Sequence, residues 1–153
     1  MQFRAKLAAA GLLAGLPFLG VGATPADATQ VRRNLTFTFE GQEVTCTVAG
    51  SGNSYFQEDS GYSVINGATD LDDDDEACHE AIVEIYVDAT YRRDPGDDPD
   101  HVSSGLADAE RVSIDVLVRG TLSSVVVSHT AVFLCDNEPF SSTCPLTFTT
   151  YTK

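Results

Sequence analysis

The sequence predicts an all-β protein, built as a two-layer antiparallel β-sandwich of about six or seven strands. Apolar residues recur at every second position in several segments, which is the period of a half-buried strand. Gly, Pro, Asn and Asp separate those segments, as they do at turns between strands. Apolar residues show almost no helical 3.6-residue period. Together these patterns favour two sheets that bury their apolar faces against each other.

The alternating segments carry Val, Ile, Thr or Phe on one face, and they cover residues 35–39, 44–48, 81–91, 111–119, 122–134 and 145–151. The first two predict an N-terminal hairpin. The segments on either side of Gly120 predict a second hairpin, whose apolar face seeds the core. The segment at 81–91 predicts a central strand. The architecture is therefore immunoglobulin-like, although the chain lacks the core Trp of that family.

Two further regions are predicted to be irregular. Residues 49–75 contain several glycines and predict a long loop with one short edge strand at 62–66. Residues 92–109 are rich in Pro, Gly and Asp in their first half and predict an exposed polar connection. Residues 76–80 predict a single helical turn before the central strand.

The first 28 residues have the features of a secretory signal peptide. Arg4 and Lys6 precede an apolar stretch at 7–21, and the Ala-Asp-Ala sequence at 26–28 fits the small-x-small cleavage pattern. The apolar stretch is shorter than the roughly 20 residues that a membrane-spanning helix needs. We therefore expect a secreted, extracellular protein in which residues 29–153 form one domain with no membrane span.

The cysteines indicate the same compartment. An even number in a small exported domain predicts two disulfides, and the four residues are Cys46, Cys78, Cys135 and Cys144. Three pairings are open, and we favour the sequence-local one, Cys46 with Cys78 and Cys135 with Cys144. A zinc site is the competing interpretation, but no C-x-x-C spacing supports it.

The net charge of −14 makes this an acidic protein and limits its partners. Such a charge repels phosphate, which argues against nucleic acids and anionic membranes, and it favours solubility. We expect a monomer that contacts a protein or surface ligand of unknown identity.

The acidic run after residue 69 suggests a calcium site, since hard cations prefer oxygen ligands. The carboxylates that could share the ion are Asp70, Asp72, Asp74, Asp97 and Asp98. The spacing of the first three resembles the start of an EF-hand loop, but Asp75 stands where that loop needs Gly, and Ala81 where it needs Glu. The competing interpretation is a solvated charge run. No other cofactor is implied.

Rigid aromatic side chains indicate where a ligand could bind. Tyr55, Phe56 and Tyr62 lie in the glycine-rich region, where the alternative is that they cap the core. Phe140 lies between Cys135 and Cys144, in a segment that a disulfide would constrain. A constrained loop loses less entropy on binding, as an inhibitor requires.

The sequence predicts no catalytic site. His129 has the same strand parity as buried residues, so it is interpreted as a structural histidine, and neighbouring Ser128 and Thr130 point to the opposite face. No hydrolase motif occurs. We therefore expect a secreted, non-catalytic binding or envelope-associated module. The alternatives are a small protease inhibitor or effector that uses the Cys135–Cys144 loop, and a calcium-binding extracellular module.

Overall fold

The computed structural model describes residues 23–25, 29–72, 76–137 and 140–153, and 76% of the structure is β-strand. The strands form two antiparallel sheets, and one short helix joins the fourth strand to the fifth. In chain order the elements are β1 (Ala23–Pro25), β2 (Thr29–Phe39), β3 (Gln42–Gln57), β4 (Tyr62–Leu71), α1 (Glu76–Ala81), β5 (Ile82–Arg92), β6 (Asp100–Ala107), β7 (Arg111–Arg119), β8 (Ser124–Asn137) and β9 (Phe140–Thr152).

The two sheets divide the strands as follows. In sheet A the strand order is β3-β4-β7. The side of β3 that does not pair with β4 pairs with β2 along its first part and with β1 at its end. Sheet B has the order β6-β5-β8-β9. The chain changes sheet before β5, before β7 and before β8, so that β7 pairs with β4 and β8 pairs with β5. This connectivity confirms the predicted antiparallel sandwich of immunoglobulin-like architecture.

The core lies between the sheets, because strands such as β3, β5 and β7 bury residues that alternate with more exposed ones. Sheet A contributes buried aliphatic residues from β3 and β4, and sheet B contributes them from β5 and β8. The rings of Phe37 and Phe133 meet across the sandwich with their centroids 5.4 Å apart. The largest fully buried apolar side chains are Phe133, Ile65, Ile85, Val48, Val87, Val125 and Val127.

The N-terminal hairpin and the central strand are confirmed. β2 pairs with β3 along its whole length, and the connecting residues Glu40 and Gly41 both have positive φ angles, as a tight hairpin turn requires. β5 lies inside sheet B, between β6 and β8. The helical turn predicted at 76–80 is α1.

The hairpin predicted across Gly120 is wrong. β7 belongs to sheet A and β8 to sheet B, so the connection through Gly120 crosses from one sheet to the other. The N–H of Gly120 donates to the carbonyl oxygen of Gly61, at 2.7 Å. Both strands still bury the face that their alternation predicts. Alternation identifies the buried face of a strand but not its neighbour, so two strands that face each other across a core can resemble a hairpin.

The prediction of a long glycine-rich loop at 49–75 is also wrong. Residues up to 57 continue β3, and β4 extends over ten residues as an inner strand of the sheet. Three glycines point inward where the sheets approach closely. A Cβ on Gly50 would lie 2.6 Å from a ring carbon of His129, and one on Gly67 would lie 2.9 Å from Val127. These glycines therefore make room for the opposite sheet rather than ending a strand.

The region at 92–109 is only partly the polar connection that was predicted, because β6 occupies Asp100–Ala107. β6 is an edge strand whose residues are mostly exposed, and it pairs with β5. Half-buried Val102 and Ser104 share its inner parity. With so few apolar residues, the strand lacks the alternation from which the other strands were recognised.

Both predicted disulfides are present and all four cysteines are paired. The bond between Cys46 and Cys78 ties β3 to α1, with the Cα atoms 5.5 Å apart. The bond between Cys135 and Cys144 joins β8 to β9, with the Cα atoms 5.9 Å apart. Cys46 faces the core, as its strand parity predicts.

The predicted signal peptide, residues 1–28, lies outside the described residues except for β1. The backbone of β1 pairs with Tyr55–Gln57 at the far end of β3. In the described part of the chain, no helix has both the length and the apolar character needed to cross a membrane.

Candidate binding groove on the outer face of sheet A

The outer face of sheet A carries a groove with a floor of small side chains. Ser51 on β3, Ala68 on β4 and Ser113 on β7 lie side by side in the strand register. Around them is an open depression of about 630 Å³. A second depression of about 430 Å³ adjoins it over Ala49, and both include Gln30 and Ser51. We call this continuous surface the sheet A groove.

Paired charges bound the groove near the end of β4. Arg111 donates to both carboxylate oxygens of Asp70, at 2.8 Å and 3.1 Å. Arg32 on β2 forms a second ion pair, with Asp72. The arginine side chains are 65% and 69% exposed, so each pair adds at most about 1 kcal/mol to stability. Their main effect is to neutralise the carboxylates that line this end of the groove.

Two amide side chains and one carboxylate form a row across the middle of the groove. Asn53, Asn66 and Asp115 are neighbours on three adjacent strands. With its amide assigned so that the N–H₂ group faces the neighbouring acceptors, Asn66 donates to Oδ1 of Asp115, at 2.8 Å, and to the carbonyl oxygen of Ile65, at 3.3 Å. The side-chain oxygen of Asn53 is shielded from solvent, and no described residue donates a hydrogen bond to it.

An unsatisfied shielded oxygen is costly, about 1–3 kcal/mol in proteins generally. The Asn53 amide lines the larger depression, so rotation toward the groove would bring its oxygen to any hydrogen-bond donor held there. Asn53 is therefore a side chain whose hydrogen bonding a bound molecule would complete.

An apolar row lies next to the amide row, beyond the end of the groove. Tyr55, Val64 and Leu117 are neighbours in the register of β3, β4 and β7, and Leu117 is 66% exposed. The next row contains Tyr62, opposite Arg119. The face thus changes from paired charges through amides to apolar side chains along the strand direction, which gives it an amphipathic character.

The aromatic residues predicted to bind a ligand are only partly brought together. Tyr55 and Tyr62 share the outer parity of sheet A and lie in successive rows beyond the end of the groove. Phe56 has the opposite, inward parity and is half-buried. Phe140 begins β9 in sheet B, and its side chain lies outside the described residues.

The carboxylates predicted to bind calcium do not converge in the part of the chain that the structure describes. Asp70 and Asp72 lie where β4 ends, and each faces an arginine. Asp97 and Asp98 follow β5, which runs back along the sandwich to its opposite end. Asp74 lies outside the described residues. Within the described ranges, no three His, Cys, Asp or Glu side chains are grouped so that they could hold a metal ion.

The segment between Cys135 and Cys144 is largely a paired hairpin. Cys135 lies opposite Ser142, and Asn137 lies opposite Phe140, so the ladder of β8 and β9 continues to the ends of both strands. Residues 138 and 139 lie outside the described part. A backbone that is paired in this ladder differs from the disulfide-constrained loop of the inhibitor hypothesis.

His129 is fully buried, as its parity predicts, and its ring is hydrogen-bonded on both sides. The hydroxyl of Thr69 donates to the carbonyl oxygen of Tyr86, so it accepts from Nδ1–H of His129, at 2.8 Å. Thr150 completes the arrangement by donating to Nε2, at 2.6 Å. Burial lowers the pKa of His129 to about 4, although the Asp88 carboxylate opposes this shift. The imidazole lies on the core side of sheet A, beneath Gly50, so the backbone of β3 separates it from the outer face that carries the sheet A groove.

The uncharged polar residues of the groove were not predicted from the sequence. Their signal was present, because Ser51, Asn53 and Tyr55 alternate along β3. On β4, Asn66, Ala68 and Asp70 alternate in the same way. Interpreting the intervening glycines as strand breakers concealed both patterns. Comparison with protein-family models, curated proteins and solved structures finds no match for this chain.

Proposed function

We propose that the protein is a secreted, non-catalytic binding module that holds its ligand in the sheet A groove. The observation that carries this proposal is the depression of about 630 Å³ over the floor of small side chains. Its floor belongs to paired strands, with Asn53 and Asn66 on the two inner strands β3 and β4. Side chains on a rigid sheet are presented with little loss of conformational entropy on binding.

The chemistry of the groove supports binding rather than catalysis. General acid–base and nucleophilic catalysis need a base placed against a reacting group. The groove instead offers amides, serine hydroxyls and carboxylates, two of which are paired with arginines. The buried His129 uses both ring nitrogens for threonine hydroxyls in the core.

Two features support secretion. The leader has a positive start, an apolar stretch and a cleavage pattern. Both disulfides would persist in an oxidising, extracellular compartment, whereas the cytosol keeps most thiols reduced.

The proposal is tested by NMR screening of the exported, disulfide-bonded protein against a mixed library of sugars, amino acids, cations, anions and short peptides. At least one compound class should shift backbone amide signals within 49–53, 66–70 and 111–115. Shifts confined to sheet B, or no shifts from any class, would refute a binding role for the groove.

Two exposed serines provide matched variants for the same screen. Ser113→Trp places a large side chain in the groove, and Ser103→Trp places one on the outer face of sheet B, also on an edge strand. Tryptophan is well tolerated on exposed strand positions, so both variants should fold. Binding should be lost in Ser113→Trp and retained in Ser103→Trp, and the reverse result would contradict the proposal.

A further inference from the structure

We infer that the ligand of the sheet A groove is a neutral oligosaccharide that lies along the strands of the floor. This inference rests on the proposed binding function and names the chemistry of its ligand. Three properties of the groove lead to it: local charge balance, a mixture of hydrogen-bond donors and acceptors, and an apolar row beyond one end.

The local charge argues for an uncharged ligand. The whole chain has a net charge of −14, yet Arg32 and Arg111 balance two of the carboxylates that line the groove. A cationic ligand would find stronger attraction at the acidic run near Asp97 and Asp98, where most neighbouring residues are exposed. An anionic ligand would be repelled by the molecule as a whole. The groove is thus nearly neutral on an otherwise acidic protein.

The hydrogen-bonding groups match hydroxyls. A sugar hydroxyl both donates and accepts, so it can bond to an amide oxygen and to an amide N–H₂. The side-chain oxygen of Asn53, to which no described residue donates, can accept from a hydroxyl, and the Asp115 carboxylate keeps spare acceptor sites beside its bond to Asn66. Gln30 and Ser51 add groups of both kinds on the other side of the floor.

The apolar row matches the other surface of a sugar ring. Pyranose rings have hydroxyls at their edges and C–H groups on their faces, and such faces pack against aromatic and aliphatic side chains. Tyr55, Val64 and Leu117 offer such a surface directly beside the amide row. From Tyr55 to Ala49 the strand extends about 20 Å at 3.3–3.4 Å per residue, which is longer than a single sugar.

A peptide fits the groove less well. Extended peptides usually bind by adding to a free sheet edge, where their backbone groups find partners. Of the floor strands, β4 is paired on both sides over this region and β3 on both sides up to Gly52, so most of their backbone groups are already engaged, and the free edge of β7 lies at the margin of the groove. A ligand that bonds to side chains rather than to backbone is favoured here.

The experiment is NMR and calorimetric titration of the exported protein with neutral oligosaccharides that differ in sugar and linkage. A sulfated disaccharide and a tetralysine peptide serve as charged probes. We expect one neutral oligosaccharide to bind with a Kd below about 10 mM and to shift the amide signals of Asn53, Asn66 and Asp115. Asn53→Ala should weaken this binding by about tenfold or more, because it removes the acceptor.

A second measurement separates binding from folding. Because Asn53→Ala removes a shielded oxygen that accepts from no described residue, its Tm should equal or exceed that of the unmodified protein, while its affinity falls. A fall in Tm together with unchanged affinity would refute the role given to Asn53. If only a charged probe shifts the groove signals, the sugar inference fails and the binding function stands. If no library compound does so, both fail.

Discussion

His129 links the stability of the protein to pH, because it is neutral inside the core and must remain so. Its folded-state pKa is about 4, against an ordinary value of 6.5. Between these values the unfolded chain binds the proton and the folded chain does not. Acid therefore favours the unfolded state in this window. The hydrogen bonds from Nδ1–H to Thr69 and from Thr150 to Nε2 fix the neutral tautomer that carries its proton on Nδ1.

The contribution of His129 to the free energy of unfolding should thus fall by about 2–3 kcal/mol between pH 7.5 and 4.5, with the loss beginning near the ordinary histidine pKa. Urea unfolding of the protein and of His129→Gln across this range measures the effect. The variant controls for the carboxylates, whose protonation relieves repulsion in both proteins. Equal pH slopes in the two proteins would show that His129 is not responsible.

Gly50 offers a second test at the scale of single residues. A Cβ at this position would lie 2.6 Å from His129 and 2.7 Å from Phe148. The histidine ring is held by two hydrogen bonds and cannot yield easily, so Gly50→Ala should cost about 1–3 kcal/mol through overpacking. Gly96→Ala is the control, since nothing lies within 4 Å of its Cβ position. Equal stability of the two variants, measured by urea unfolding, would contradict the close approach of the sheets.

At the scale of elements, the two disulfides constrain loops of different length. Cys46 and Cys78 are separated by 32 residues in sequence, and Cys135 and Cys144 by 9. In the chain-entropy description, the longer loop contributes about 4 kcal/mol and the shorter about 3 kcal/mol. The double Cys→Ala variant of the first pair should therefore be the less stable one.

Denaturant unfolding of the two double variants under identical conditions measures this difference. Burial acts in the same direction, because Cys46 and Cys78 are both fully buried, whereas Cys144 is only partly buried. Greater destabilisation from losing the Cys135–Cys144 bond would mean that hairpin β8–β9 depends on its disulfide more than the link from β3 to α1 does.

The elements also show what the sequence could and could not predict. Strands with strong alternation, such as β5 and β7, were recognised because burial of one face leaves a two-residue period. Their sheet partners were not, since pairing depends on contacts between distant segments. The groove was not predicted because Gly50, Gly52 and Gly67 occupy inward positions of β3 and β4, where apolar residues would have indicated a strand. Glycine is needed at these positions because side chains of the opposite sheet lie too close for a Cβ, and the local sequence does not show which residues lie opposite.

At the scale of the whole molecule, charge opposes compactness. A net charge of −14 on a chain of 153 residues creates repulsion that folding intensifies. The ion pairs at the groove act in the opposite sense, but their arginines are well exposed and each pair is worth at most about 1 kcal/mol. The long-range repulsion should therefore outweigh the local attraction.

Added salt distinguishes these two contributions. From about 0.01 M to about 0.15 M ionic strength, the screening length falls from about 30 Å to about 8 Å, which removes repulsion across the molecule before it removes contact ion pairs. The Tm should rise by a few degrees when measured calorimetrically with NaCl, and equally with KCl, because the effect depends on ionic strength rather than on ion type. The Asp70→Asn variant, which breaks the pair with Arg111, should show a similar rise. A Tm that falls with salt would mean that exposed ion pairs, and not the excess of carboxylates, dominate the electrostatic free energy of folding.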